Sequence, residues 1–196
     1  GYRLALRREA IVSDLNTKFI VPGKTLSEIS KLLREEDEEA YLVVSQKHIV
    51  FRISGYYVVS RLLEGDFLDY NAAIPKISKT TVKINTRSLT DSVERTSLLI
   101  SDRLRSPIRL VVTENKVQLS CSTAMGKAHD EVDCEVSGEA VSMGFNNKYL
   151  LDALKASDCD MVRLEINGAL SPMRMIPMEG DSFLFLVLPV RVKNDD

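Results

Sequence analysis

Residues 140–156 read AVSMGFNNKYLLDALKA. An extended apolar stretch, Ala140 to Phe145, runs into Asn146-Asn147-Lys148-Tyr149-Leu150, after which the apolar residues recur at helical spacing. That change of period marks a strand handing over directly to a helix. The phrase occurs twice more. Thr81 to Ile84 leads through Asn85-Thr86-Arg87-Ser88-Leu89 into TDSVERTSLLI, and Lys18 to Val21 leads through Pro22-Gly23-Lys24-Thr25-Leu26 into SEISKLL. The helix starts lie about sixty residues apart, so one unit of strand, helix and strands is used three times.

Past each helix the chain alternates with period two. Tyr41 to Ser45, His48 to Ile53 and Tyr56 to Leu62 read as strands joined by turns at Gln46-Lys47 and Ser54-Gly55. Ile108 to Thr113, Lys116 to Ser122 and Ala128 to Val136 repeat the meander, as do Met161 to Ile166, Met173 to Pro177 and Ser182 to Leu188. Hairpins rather than crossovers join most of them. The class is therefore α+β, with helices on one face of antiparallel sheets. Pro75 breaks any strand in the stretch from Ala73 to Lys79. It divides the chain into residues 1–74, with one unit, and residues 75–196, with two. The single unit is expected to leave a sheet edge and part of its core uncovered. Gly1-Tyr2-Arg3-Leu4-Ala5-Leu6 already alternates, without an initiator Met or polar lead-in, so the sequence reads as a piece cut from a longer chain.

At 100° per residue the helices acquire faces. Leu26, Ile29 and Leu33 form one stripe of the first helix, opposite Lys24, Lys31 and Arg34. Leu89, Val93, Thr96 and Ile100 point inward from the second, leaving Arg87 and Arg95 outside among Asp91 and Glu94. In the third, Leu150, Leu151 and Leu154 face in, while Lys148 and Lys155 share the outer side. Taken singly these are solvated faces. Recurring at one repeat position, Lys24, Lys31, Arg34, Arg87, Lys148 and Lys155 would align into a positive lining in a symmetric assembly. The whole chain carries no such positive excess, because 26 Lys and Arg stand against 28 Asp and Glu.

Chemistry is hard to find. Cys121, Cys134 and Cys159 follow no CxxC spacing and lack a histidine set, which argues for reduced intracellular thiols and against a zinc site or disulfide scaffold. His48 and His129 have no serine elbow, cysteine nucleophile or HExxH context. The run from Glu35 to Glu39 reads as a charged loop, since metal carboxylates converge from separate elements. No glycine pattern cradles a nucleotide, and no catalytic residue, metal or cofactor is expected. The rival readings are a DNA-binding module of another kind and a hydrolase whose carboxylates, such as Asp66, Asp69 and Asp181, meet only in the fold. The longest apolar run, Phe183 to Val190, is about eight residues, well short of the roughly 20 a membrane helix needs.

That run ends the chain as SFLFLVLPVRVKNDD, and with it comes a family likeness. Leu63-Glu64-Gly65-Asp66-Phe67-Leu68-Asp69-Tyr70, followed by Ile74-Pro75-Lys76 and the terminal Val187-Leu188-Pro189-Val190-Arg191, resembles the bacterial DNA polymerase III β subunit, the replicative sliding clamp. The likeness extends over essentially the whole chain, from within the family's second domain through its third. It implies a cytoplasmic, nucleoid-associated, non-catalytic processivity factor. It further implies head-to-tail homodimers forming a six-domain ring, loaded by a clamp loader, whose helices line a pore for duplex DNA, with Lys24, Lys31, Arg34, Arg87, Lys148 and Lys155 as the candidate contacts to DNA phosphates. The polymerase III α subunit, other polymerases, mismatch-repair proteins, ligase and the initiation regulator dock through short linear peptides. The implied peptide groove uses Tyr2, Arg3, Leu4, Leu68, Ala73, Leu170, Pro172, Leu186, Leu188, Pro189, Val190 and Arg191. Leu68 stands where the family has proline, Ala73 is smaller than the commoner valine, and the VKNDD ending runs past the usual stop. Leu98 and Leu99 correspond to the third-domain half of the ring contact. With the first domain missing, this chain by itself is expected to be monomeric.

Overall fold

The computed structural model describes residues 2–13, 16–34, 39–101 and 106–192. They form two compact units, one of residues 11–69 and one of residues 1–10 with 70–196.

The smaller unit holds one copy of the repeat. Helix α1 (Gly23–Leu32) precedes a three-stranded antiparallel sheet of β2 (Ala40–Val44), β3 (His48–Ile53) and β4 (Tyr56–Arg61). The extended lead-in expected at Lys18 to Val21 shrinks to one rung, Ile20 against Leu63. The core is small: Ile29, Ile49, Phe51, Ile53 and Leu62, with Val21, Val44 and Val58 at its margin. The expected helix stripe is only partly used, because one helix over three strands covers a single row. Ile29 is buried, whereas Leu26 and Leu33 are each 49% exposed.

The larger unit begins with β1 (Arg3–Arg7) and resumes, after a 3-10 turn at Asn71–Ala73, with two copies of the repeat. The first copy is β5 (Thr80–Asn85), α2 (Thr86–Ser97), β6 (Ile108–Val112), β7 (Lys116–Thr123) and β8 (Gly126–Asp133). After β9 (Glu135–Gly138) comes the second: β10 (Val141–Phe145), α3 (Asn147–Ser157), β11 (Met161–Ile166), β12 (Met173–Pro177) and β13 (Phe183–Val187). Both helices start the way their sequences prescribe. The Asn85 side chain accepts a hydrogen bond from the Ser88 amide at 2.9 Å, and that of Asn146 accepts from the Lys148 amide at 3.0 Å. Each cap satisfies a donor the first helical turn leaves free, worth about 1 kcal/mol.

The two copies exchange their first strands. One sheet runs β1-β13-β12-β11-β5-β9 and the other β10-β6-β7-β8, so β5 of the first copy completes the second copy's sheet and β10 of the second completes the first's. Neither copy can leave without breaking both sheets. All pairings are antiparallel. The shared core takes Val82 and Ile84 from β5, Leu89 and Val93 from α2, Leu150 and Leu154 from α3, and Phe183, Phe185 and Val187 from β13. The Phe183 and Phe185 rings stack at 4.9 Å between centroids.

One expectation changes here. The single strand read from Ala128 to Val136 is two, because the chain changes sheets at Cys134: β8 pairs with β7, whereas β9 pairs with β5. The first ten residues group with the larger unit, since β1 pairs with β13 from Arg3 opposite Val187 to Arg7 opposite Phe183.

Candidate functional site

The last strand has two faces. Phe183, Phe185 and Val187 enter the core, so Leu184 and Leu186 lie on the other side of the six-stranded sheet. There Leu186 stands opposite Leu4 of β1 on one flank and Arg174 of β12 on the other. Arg174 in turn faces Glu165 of β11. One row across the outer face thus passes from apolar, at Leu4 and Leu186, to charged, at Arg174 and Glu165. Leu186 is only 1% exposed, so it serves as a floor rather than an open wall.

The charged half of the row fastens the segment around Pro75, within the larger unit. Arg174 pairs with Glu165 through one guanidinium nitrogen and donates from another to the Pro75 carbonyl at 2.9 Å. Arg163 also approaches Glu165, at 3.3 Å. Burial, and then the like charge of Arg163, push the Arg174 guanidinium below its ordinary pKa. Ala73, in the 3-10 turn just before Pro75, is exposed.

Beyond Val187 the chain leaves the first sheet and reaches the second. The Leu188 amide donates to the Tyr2 carbonyl at 3.0 Å, and two residues later the Val190 amide donates to the Gly144 carbonyl at 2.8 Å. Pro189 lies between these anchors, where no ladder hydrogen bond is asked of it. Next to this crossing is a depression of about 500 Å3 lined by Arg109, Ser142, Met143, Gly144, Ala169, Leu170, Val190, Arg191 and Val192. Leu170 is 81% exposed at its rim, and Pro172 directly precedes β12, whose Met173 faces Val187.

Of the residues expected in a peptide groove, the larger unit therefore joins Leu4 with Leu186 on the sheet, and Leu170 with Val190 and Arg191 around the depression. Leu188 and Pro189 connect the two groups. Tyr2, 63% exposed, sits at the Leu188 anchor. Arg3 shares a second depression, of about 420 Å3, with Leu4 and Leu186. On a pleated strand it takes the face opposite Leu4, where it pairs with Asp152 and lies 4.7 Å from the Tyr149 ring centre. Leu68, in the other unit, is 77% exposed. Residues 193–196 of the VKNDD ending lie outside the described residues. Reading the sequence missed Arg109, Ser142, Met143, Gly144, Ala169 and Val192. One signal was present: a glycine inside a strand marks a place where another backbone comes close.

The candidate phosphate contacts are all exposed, five on the three helices and Arg34 just past the end of α1. Lys31 pairs with Glu28 at 2.9 Å, and Lys155 of α3 pairs with Glu94 of α2 at 2.7 Å. Lys24, Arg87 and Lys148 make none of the ion pairs found among the described residues. Arg95 is turned to Asp130 at 2.8 Å. Leu98 is 82% exposed just past α2, while Leu99 is half-buried. Among the described residues no three His, Cys, Asp or Glu side chains converge, the three cysteines are free thiols, and no helix is long and apolar enough to cross a membrane.

Strand-exchanged repeats carrying paired helices, with an apolar crossing at the C-terminal end, define the architecture of a DNA sliding clamp. Residues 71–191 match the family described as DNA polymerase III beta subunit, C-terminal domain, and residues 1–69 match its central domain. The chain belongs to the DNA polymerase III beta subunit family. It is 33% identical over 194 residues to the beta sliding clamp of Staphylococcus epidermidis, covering 97% of this chain and 52% of that protein. The sliding clamp of Bacillus subtilis superimposes with a TM-score of 0.91 at 30% identity, covering 98% of this chain and 52% of that one. The Bartonella birtlesii sliding clamp bound to griselimycin gives 0.87 at 28%, again covering 98% and 52%. The chain spans about half the length of the curated relatives it matches.

Proposed function

We propose that this chain is the client-binding part of a replicative sliding clamp, a non-catalytic processivity factor that encircles duplex DNA as a ring of two full-length subunits. What carries the reading is the C-terminal crossing, where an apolar sheet row and an apolar depression are joined by Leu188-Pro189-Val190, in a chain that belongs to the DNA polymerase III beta subunit family. The polymerase III α subunit, the clamp loader and repair proteins would share this surface by offering short peptides with large apolar side chains. Such side chains gain most of their affinity by being desolvated in a preformed pocket. Arg191 at the rim of one depression, or Arg3 in the other, would meet the peptide's polar groups. Lys24, Arg87 and Lys148 would meet phosphates without reading bases. Leu98 and Leu99 form the proposed ring contact, and the partner half of that contact would come from another domain.

The test is topological. A full-length subunit loaded on closed circular DNA should stay with it through gel filtration and be lost once the circle is linearised. Equal loss from circle and line would refute the ring.

A further inference from the structure

Gly144 is the fourth of five residues in β10, with Arg109 opposite it on β6. Its backbone is not in the left-handed region, so no turn or special conformation calls for glycine there. Glycine in a strand interior is unfavourable by roughly 0.5–1 kcal/mol relative to alanine, and a compensating reason is expected. The reason is on its free edge. A Cβ placed on Gly144 would meet the Val190 carbonyl oxygen at 2.6 Å and collide with the Val192 side chain. Val190 is also the residue whose amide donates to the Gly144 carbonyl at 2.8 Å. One residue therefore both bonds to Gly144 and leaves no room beside it. Relieving the clash moves the Val190 backbone, and that breaks the rung.

We propose that Gly144 is a positioning residue of the peptide site: its bare Cα is the seat that holds Val190, Arg191 and Val192 against β10, and only the seated segment completes the wall facing Leu170. The inference rests on the reading of the crossing as the site for apolar client peptides. It adds that the wall is a strap laid on the second sheet's edge by one hydrogen bond and one missing side chain. The strap has no other backbone anchor among the described residues after Leu188.

The experiment compares the chain with its Gly144→Ala and Gly23→Ala variants. Gly23 serves as control because an added Cβ there meets no atom within 4 Å. Two quantities are read: hydrogen exchange of the Val190 amide, and affinity for the pentapeptide Gln-Leu-Ser-Leu-Phe by calorimetry. Gly144→Ala should speed Val190 exchange at least tenfold and weaken the peptide at least tenfold, with the Val82 and Leu119 amides as protected as before. Gly23→Ala should change neither reading. Unchanged Val190 exchange in a folded Gly144→Ala protein overturns the seat. Faster exchange with undiminished peptide affinity overturns its role in the site. If the unsubstituted chain binds no peptide, the client-site reading fails, and with it the role given to Gly144, while the exchange reading still decides whether the seat exists. Should Gly144→Ala not fold, deletion of residues 190–196 approaches the same wall from the tail. A tenfold loss of peptide affinity supports the proposal and an undiminished affinity overturns it.

Discussion

Replacing Arg174 by methionine keeps most of the stem and removes the charge that holds three groups together. Its guanidinium pairs with Glu165 and donates to the Pro75 carbonyl at 2.9 Å, and the Arg174 and Glu165 side chains are only 21% and 12% exposed. Removing one partner of a buried pair leaves the other charge uncompensated, at a cost of about 3–5 kcal/mol. Here Arg163 still stands 3.3 Å from Glu165, so we place the loss at the lower end, about 3 kcal/mol. The lowered pKa of Arg174 records the opposing desolvation. Removing both charges in Arg174→Met with Glu165→Leu should therefore restore most of the loss, ending about 1 kcal/mol below the parent, roughly the value of the lost bond to Pro75. Native-state hydrogen exchange at Leu164 and Met175, on the two strands that carry the pair, measures the larger unit alone and avoids assuming that both units unfold together. A single variant within about 0.5 kcal/mol of the parent, or a double variant less stable than the single, would mean that the Arg174–Glu165 pair does not hold this face of the sheet.

Ending the chain after Val187 should abolish binding of the same pentapeptide while costing about 1–2 kcal/mol at most, because β13 is complete and only the anchors at Tyr2 and Gly144 are lost; calorimetry and thermal unfolding measure the two. Burial works to raise the Asp130 carboxyl, but hydrogen bonds from Arg95 and the Glu131 amide outweigh it and hold the pKa below the ordinary value. A depressed carboxylate stabilises the fold above its unfolded pKa of about 3.9, and the contribution disappears as pH falls through the folded value. Asp130→Asn should therefore lower the melting temperature at pH 7, by an amount that shrinks as the pH falls below about 3.9, the reverse order being inconsistent with the linkage. DNA affinity through Lys24, Arg87 and Lys148 should fall steeply with salt and ignore sequence, so binding that is unchanged between low and physiological salt would exclude those contacts.

The repeat was legible because each handover from strand to helix leaves a local mark. Asn85 and Asn146 both cap their helices in the structure, as the repeated phrase implied. What local marks cannot carry is partnership. Alternation shows that residues 128–136 are extended, yet the change of sheet at Cys134 depends on β7, close by in the chain, competing with β5, about fifty residues away. The exchange of β5 and β10 between repeats is invisible for the same reason. In the candidate site, Leu4, Leu186 and Arg3 were named through family likeness, and alternation along the strand adds that Arg3 and Leu4 take opposite faces. Leu26 and Leu33 show the converse limit. A helical stripe gives the direction of burial, and only the facing layer decides how much of it is used.

The claim most open to direct attack is that the C-terminal crossing is where peptides bind. Methyl NMR of the chain titrated with Gln-Leu-Ser-Leu-Phe reports every alanine, leucine and valine at once. Shifts should concentrate at Leu4, Leu170, Leu188, Val190 and Val192, with Leu119, Val82 and Leu154 silent. Shifts centred instead on Leu119, Val82 or Leu154, or no shifts at millimolar peptide, would rule the crossing out as the binding site.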